Sequence, residues 1–359
     1  MNIFFFIHHL GNGGAERVTS VLANGLAANG HKVTIGVYAS RSNLYELHSN
    51  VTIKQVDSYY MSGLFAKIRK YQGIRKLILQ SSPDVIIAVM PFNYIAAKIA
   101  SLGLSIPIVV SDHTTFSWNP TFKLKFIRYY LYAFADAVTV LTKRDKEMMS
   151  SYLHNTKVMY NPLSFPITNK AVLNRKKNII SVGRLSVWNV KGFDLLLESW
   201  AQIHSNYPEW VLKIAGDGDA SDYEFIRNKT IALGIEHRVE LLGFISNIKD
   251  VLEESSIFAL SSRIEGFPCS LIEAMSQGCA CVSYSINGII KEIITDGEDG
   301  YIIEDGDVVS FSSAIEKLIL DENKRNSIGE QAKISMQKLN AAYIITQWEL
   351  FLKTVIDKK

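Results

Sequence analysis

The sequence predicts two doubly wound α/β domains in tandem, each a parallel sheet covered by helices on both faces. Three observations carry this reading. Short apolar runs alternate with helix-length segments along most of the chain. The alternation breaks once, over 161–178, and then restarts. Glycines follow the first run, at Gly11-Asn12-Gly13-Gly14, and three runs of the second half, at Gly183, Gly216 and Gly243, where a parallel sheet turns its chain at the carboxyl edge of a strand.

In order, the chain opens on a buried-strand pattern, Ile3 to Ile7, followed by the turn Gly11-Asn12-Gly13-Gly14. A helix runs from about Ala15 to Ala28, and Gly30 sits where a helix stop belongs. His31 to Val37 is the next strand. Helices near 61–79, 93–101 and 121–135 then alternate with strands Val85 to Val89, Pro107 to Val110 and Ala137 to Leu141. Asn161-Pro162, Pro166 and Asn169 punctuate the break, and Arg175-Lys176-Lys177 close it. Strand Ile179 to Val182 leads to Gly183 and a helix near 193–205. Strand Val211 to Ala215 ends at Gly216-Asp217-Gly218, and Val239 to Leu241 precedes Gly243. Strand Ile257 to Leu260, a loop over 261–268, a helix near 269–277 stopped by Gly278, and strand Ala280 to Tyr284 follow. The expected domains are 1–165 and 166–341, with a C-terminal helix over 342–359 packing back on the first.

Composition is that of a globular chain able to bury large cores: 48% hydrophobic and 20% charged residues. Cys269, Cys279 and Cys281 form no CxxC pair and no disulfide framework, which fits a reducing cytoplasm. The run Ile3 to Ile7 is too short for a secretory signal, and no stretch reaches the length of a membrane span. Charge is divided unevenly. Residues 1–170 hold 18 Lys and Arg against 8 Asp and Glu; residues 171–359 hold 20 against 27. A basic half joined to an acidic half points to an anionic partner for the first domain.

Four motifs carry chemistry. In Glu265-Gly266-Phe267-Pro268-Cys269-Ser270-Leu271-Ile272-Glu273, one carboxylate lies on a loop and the other about one turn into a helix. The helix start offers N–H groups and a positive dipole end to a diphosphate or to sugar hydroxyls, and a carboxylate suits the paired hydroxyls of a ribose. In Ser181-Val182-Gly183-Arg184-Leu185, followed by Lys191-Gly192, two cations follow a strand within eight positions and can neutralise a pyrophosphate without metal. Gly11-Asn12-Gly13-Gly14-Ala15-Glu16-Arg17 lets backbone N–H groups approach a ligand, although it lacks the GxGxxG spacing. The fourth, Val110-Ser111-Asp112-His113-Thr114, places a single histidine after a strand, where a structural role is the commoner one.

The segment Glu265 to Glu273 resembles the Glu-x7-Glu motif of retaining glycosyltransferases of family 4, whose GT-B fold sets two Rossmann-like domains facing a central cleft. The resemblance covers nearly the whole chain, because the other landmarks occur in order. It implies that Glu265, with the backbone of Gly266, Phe267, Pro268, Ser270 and Leu271, contacts the donor sugar, and that Glu273 binds the ribose. It implies that Arg184 and Lys191, beside Gly183, grip the donor diphosphate, and that Gly13 and Gly14 lie over the phosphate and sugar. His113 falls at the reaction centre, and the nucleotide base falls against the loop carrying Phe244 and Ile248. Arg17 is either structural or acceptor-facing.

Asp217-Gly218-Asp219 and Asp305-Gly306-Asp307 look like metal-binding Asp-x-Asp motifs, but both sit in glycine turns that Asp favours for its own reasons. No metal and no cofactor beyond the sugar nucleotide is expected. Leaving-group charge then rests on Arg184, Lys191 and a helix dipole. Within the family the chain is similar to bacterial N-acetylgalactosamine transferases that extend glycans on undecaprenyl diphosphate. That similarity implies a UDP-sugar donor, a lipid-linked glycan acceptor, and work at the inner face of the cell membrane. Two rival readings are a non-hydrolysing sugar-nucleotide 2-epimerase of the same fold and a degenerate scaffold protein.

Two basic, aromatic-rich segments are candidate membrane or acceptor contacts. Near 61–79, Met61, Leu64, Phe65, Ile68 and Tyr71 share one arc, with Lys67, Arg69, Lys70 and Lys76 largely outside it. Near 121–135, Phe122, Phe126 and Tyr130 recur at i, i+4 and i+8 among Lys123, Lys125 and Arg128. An anionic membrane surface is the expected partner, and nucleic acid is not.

Overall fold

Five successive apolar residues, Ile3 to Ile7, leave no polar face, so they suit only a strand covered on both sides. They form β1 (Asn2–Ile7), with none of the five more than 2% exposed. The protein's structure, a computed structural model, describes residues 1–11, 13–38, 45–56, 64–116 and 121–359, the side chains of 64–67 excepted. By internal packing it divides into two units, Met1–Ser164 with Leu339–Lys359, and Phe165–Lys338.

In the first unit β1 is followed by α1 (Gly14–Ala28), β2 (Lys32–Val37), β3 (Val51–Gln55), α2 (Leu64–Ser81), β4 (Val85–Val89) and α3 (Pro91–Ala100). Then come β5 (Ile108–Ser111), α4 (Phe122–Phe126), β6 (Ala137–Val140), α5 (Lys143–Met149) and β7 (Thr156–Val158). The strands form one sheet in the order β3-β2-β1-β4-β5-β6-β7, parallel throughout. The order reverses between β1 and β4, the position at which doubly wound sheets open a crevice at their carboxyl edge. β3 and β7 have no counterpart among the sequence-derived strands. β3 is half-exposed and β7 has three residues, so neither shows an apolar run.

The helix expected near 121–135 is broken. After α4 the chain makes a π-helical turn over Ile127–Leu131 and a 3-10 turn over Tyr132–Phe134. The wide turn brings Arg128 and Tyr132 to the interior, where both reach Asp112. Arg128 therefore leaves the cationic face on which the sequence placed it.

The second unit runs β8 (Lys176–Val182), α6 (Trp188–Lys191), α7 (Phe193–Ile203), β9 (Val211–Ala215), α8 (Ala220–Ala232), β10 (Val239–Gly243) and α9 (Ile248–Glu254). It continues through β11 (Ser255–Leu260), α10 (Cys269–Ser276), β12 (Ala280–Tyr284), β13 (Tyr301–Ile303), α11 (Val308–Leu320) and α12 (Glu322–Ser335). Its sheet, β10-β9-β8-β11-β12-β13, is again parallel and reverses between β8 and β11.

The last helix, α13 (Ala341–Ile356), belongs to the first unit. Ile344, Ile345, Trp348, Phe351, Leu352 and Val355 recur at helical spacing and are buried. Ile345 fills the space over Gly25 of α1, where a β-carbon would lie 2.0 Å from its Cδ1. Glu349 accepts a hydrogen bond from the Asn29 side chain at 3.2 Å and lies 3.5 Å from His31 Nε2.

Candidate functional site

Strand β8 of the second unit ends at Gly183, against the ends of β9 and β10. A β-carbon on Gly216 would lie 1.7 Å from the Gly183 carbonyl oxygen, so only glycine allows this approach. Leu185 N–H then bonds the Asp217 carbonyl at 2.7 Å, which turns the chain out over the sheet edge. A 3-10 turn, Leu185–Val187, leads into α6, whose Trp188 stacks on Phe225 of α8 with centroids 3.8 Å apart. Gly192 ends α6 with φ +64, and a β-carbon there would lie 1.9 Å from the Ser261 carbonyl oxygen.

Gly192 thus sits directly under the loop that follows β11. Ser261 Oγ donates to the Lys191 carbonyl at 3.0 Å, and Arg263 N–H to the Val190 carbonyl at 2.8 Å. The Arg263 guanidinium forks onto both oxygens of Asp194 at 2.8 and 2.7 Å and also donates to the Asn189 carbonyl. Two loops separated by some seventy residues are sewn together at the sheet's reversal point. The result is that Lys191 Nζ meets Glu265 Oε1 at 2.7 Å, and Ser262 Oγ donates to the same oxygen at 2.7 Å. Both side chains are only partly exposed.

Around this pair the other expected residues take unequal places. Arg184 is exposed at the start of the turn, beside Gly183. Glu273 is buried in α10, the helix whose N-terminus opens at Cys269 and Ser270. Phe267 and Leu271 turn their side chains into the core, and Pro268 is likewise buried, so Gly266 and Ser270 are the more open positions of the loop. Phe244 is 49% exposed, which removes a core role for its ring. Ile248 is 5% exposed and opens α9 with its side chain in the core.

In the first unit the glycine turn after β1 leads into α1. Gly13 is extended (φ −174), so backbone conformation does not require glycine there. A β-carbon there would lie 2.1 Å from Glu16 Oε2, the far end of a flexible side chain that can shift. Gly13 carbonyl accepts from Arg17 N–H at 3.0 Å and from Tyr45 Oη at 3.3 Å. Gly14 is exposed and Arg17 half-buried.

His113 follows β5. Its Nε2 lies 3.0 Å from Ser111 Oγ, and its Nδ1 is buried without a hydrogen-bond partner among the described residues. Burial pushes its pKa down to about 4 against the opposing pull of Asp112, so the ring is neutral near pH 7.

A cavity of about 580 Å³ opens in this unit. His8, Tyr38, Lys70, Phe92, Lys123 and Phe126 are among its lining residues. Lys70 is a correction. It turns inward, with its Nζ 3.9 Å from the Tyr38 ring centroid, and burial lowers its pKa. Of the apolar arc expected on α2, Ile68 is exposed and Tyr71 packs partly buried against the core, while Met61 and the side chains of Leu64 and Phe65 lie outside the described residues. Farther along, the helix buries Ile74, Leu77, Ile78 and Ser81. Arg69 and Lys76 remain exposed, and the side chain of Lys67 lies outside the described residues. Phe122, Phe126 and Tyr130 form an exposed row, Phe122 reaching 83%, with Lys123 and Lys125 exposed among them.

Three of the four carboxylates in the Asp-x-Asp turns accept local backbone hydrogen bonds. Asp217 accepts from Gly218 N–H, and Asp222 from Asp219 N–H, at the start of α8. Asp305 accepts from the backbone of Ile286 and Asn287, and Asp307 caps α11 through Ser310 N–H. Among the described residues no group of three His, Cys, Asp or Glu side chains is placed to hold a metal ion.

Sequence reasoning missed Arg263 and Ser262, which place Lys191 and Glu265, and the Asp112–Arg128 pair behind His113. Arg263 and Arg128 act on residues distant in the chain, and no spacing rule announces that.

Comparison with known proteins adds the chemistry. Residues 12–164 match the family model Glycosyltransferase Family 4, and residues 167–335 match Glycosyl transferases group 1. The chain is 28% identical to the GalNAc-α-(1→4)-GalNAc-α-(1→3)-diNAcBac-PP-undecaprenol α-1,4-N-acetyl-D-galactosaminyltransferase of Campylobacter jejuni, over 100% of this chain and 99% of that one. It is 27% identical to the UDP-Gal:α-D-GlcNAc-diphosphoundecaprenol α-1,3-galactosyltransferase of Escherichia coli, over 74% and 76%. Among solved structures, Anabaena HepE in complex with UDP and glucose superposes with TM-score 0.84 at 22% identity, covering 98% of this chain and 99% of that one. The sucrose-phosphate synthase of Thermosynechococcus elongatus superposes with TM-score 0.85 at 15% identity, covering 99% of each. At these identities the superpositions establish the fold, the GT-B arrangement of two parallel-sheet α/β domains.

Proposed function

Since the chain belongs to the family 4, group 1 glycosyltransferases and is a hexosyltransferase, we propose that it moves N-acetylgalactosamine, or a related hexosamine or galactose, from a UDP-sugar to a glycan on undecaprenyl diphosphate. The observation that carries this is the meeting of Lys191 with Glu265 at the carboxyl edge of the second sheet, 2.7 Å apart, beside the α10 N-terminus. It sets a cation for a diphosphate next to a carboxylate for sugar hydroxyls. Names of the relatives supply the substrate class: the Campylobacter and Escherichia proteins are named for undecaprenol-linked acceptors.

In this reading Arg184 and Lys191 neutralise the diphosphate as the bond from C1 of the sugar to its oxygen breaks. The acceptor hydroxyl attacks from the same face, and its proton passes to the departing diphosphate oxygen, so configuration is retained. Glu265 orients the sugar, Glu273 takes the ribose, and neutral His113 orients the reacting groups. No metal takes part. The 580 Å³ cavity of the first unit, apolar in the main with Lys70 and Lys123 on its walls, supports an acceptor that is both apolar and anionic.

The test is a screen of UDP-, GDP- and ADP-sugars with a short-chain polyprenyl-diphosphate glycan, read by product mass and by the anomeric coupling of the new linkage. Transfer from a UDP-hexosamine or UDP-galactose with the donor's anomeric configuration, unaffected by EDTA, is the expected result. Inversion, or loss on chelation restored by Mn²⁺, overturns the mechanism. Conversion of the donor without acceptor favours the epimerase instead.

A further inference from the structure

We propose that Arg128 is a positioning residue for His113, acting through Asp112 to hold the loop on which the imidazole stands. The proposal rests on the reading of His113 as a site residue. Asp112 is fully buried, yet its carboxylate is saturated with donors. Oδ1 accepts from Thr114 N–H at 3.0 Å and Thr114 Oγ1 at 2.6 Å; Oδ2 accepts from Arg128 Nε at 3.0 Å and Tyr132 Oη at 2.9 Å. Arg128, 1% exposed, also donates to the carbonyls of Thr114 at 3.0 Å and Thr115 at 3.3 Å, and its guanidinium lies 3.7 Å from the Phe116 ring centroid. One side chain thus grips four of the five residues from Asp112 to Phe116, leaving His113 as the member it does not touch. Asp145, at the start of α5, pins the far end through Phe116 N–H at 2.9 Å.

The π-helical turn makes this possible, since it carries Arg128 and Tyr132 to the same carboxylate. A buried ion pair is poor value as a stabiliser, because desolvation offsets most of the attraction. A fork that reaches three separate acceptors instead fixes geometry, and a lysine ammonium, a single point of donation, cannot span them. What is fixed is the ring of His113, held at Nε2 beside Ser111 Oγ with Nδ1 buried and unpaired among the described residues.

The experiment is a double-mutant cycle between Arg128→Lys and His113→Ala, with donor KM and kcat measured for each variant, alongside nitrogen-detected NMR of the His113 ring. Arg128→Lys is expected to lower kcat by about 10-fold or more with donor KM nearly unchanged, and to lower it less than about 2-fold once His113 is alanine. The His113 nitrogen shifts should move with Arg128→Lys. Tyr132→Phe, which removes one donor to Asp112 and is milder for folding, should show the same pattern in smaller measure. Equal losses in both backgrounds, with the ring shifts unmoved, overturn the proposal and leave the clamp a purely structural feature. If His113→Ala keeps wild-type kcat while the ring shifts still respond to Arg128→Lys, the role given to His113 fails and the positioning stands.

Discussion

At Lys191 and Arg184 the cationic chemistry of the site is concentrated, and their surroundings differ enough to separate their effects. Arg184 is exposed, whereas Lys191 is anchored to Glu265. Arg184→Ala and Lys191→Ala are each expected to lower kcat/KM by roughly 10–100-fold, the worth of one charged contact of about 1.5–3 kcal/mol. Arg184→Ala should leave Tm unchanged. Wild-type kinetics in either variant would remove that residue from the donor site. His113 offers a second test at this scale. Its folded pKa of about 4 lies below the ordinary 6.5, so between those values the unfolded chain binds a proton that the folded chain refuses. Stability must therefore fall as pH drops through that window, and this contribution is absent above it. Urea unfolding at pH 7, 5.5 and 4.5 should show a flatter acid dependence for His113→Gln than for wild type. Parallel curves for the two proteins contradict the burial of a neutral ring. At this scale the sequence showed which residue types were present; it did not show that Ile248 is core, that Lys70 turns inward or that Arg128 is buried.

The proposed donor site is made by two loops rather than by any one motif. The segment Trp188–Lys191 is seated against the loop after β11 by Gly192, Ser261 and Arg263, so its geometry is set by another element. Gly192→Ala tests this seating. It places a side chain at φ +64, costing about 1–2 kcal/mol, and drives a β-carbon into the Ser261 carbonyl. Loss of at least that stability in urea unfolding is expected, together with a fall in kcat/KM as Lys191 leaves Glu265. An alanine variant with full stability and activity would show the close approach to be unnecessary. Alternating apolar runs made the buried strands and their neighbouring helices legible. The half-exposed β3, the three-residue β7 and the broken helix after α4 were not, because edge strands carry little apolar pattern and a π-helical turn answers to a distant carboxylate.

Across the whole molecule, basic charge and exposed aromatic rings coincide in the first unit, where Phe122, Phe126 and Tyr130 stand among Lys123 and Lys125, and Arg69 and Lys76 are also exposed. No helix among the described residues is long and apolar enough to cross a membrane. If these cations meet an anionic leaflet as proposed, each contributes about 1 kcal/mol. Replacing Arg69, Lys76, Lys123 and Lys125 together by Gln should release the protein from anionic vesicles at low salt while donor hydrolysis survives. Equal co-sedimentation of wild type and variant would sink the membrane assignment. By itself the sequence determined the doubly wound class, the break near 165, the return of the last helix and the four motifs, because each is written in local pattern: apolar period, glycine position, charge spacing. Only the tertiary structure decided which motifs meet. Lys191 and Glu265 are joined because a parallel sheet brings the ends of its strands to one edge, and Arg128 reaches Asp112 because the π-helical turn carries it inward; a hydrogen bond acts through space, whatever the length of chain between its partners.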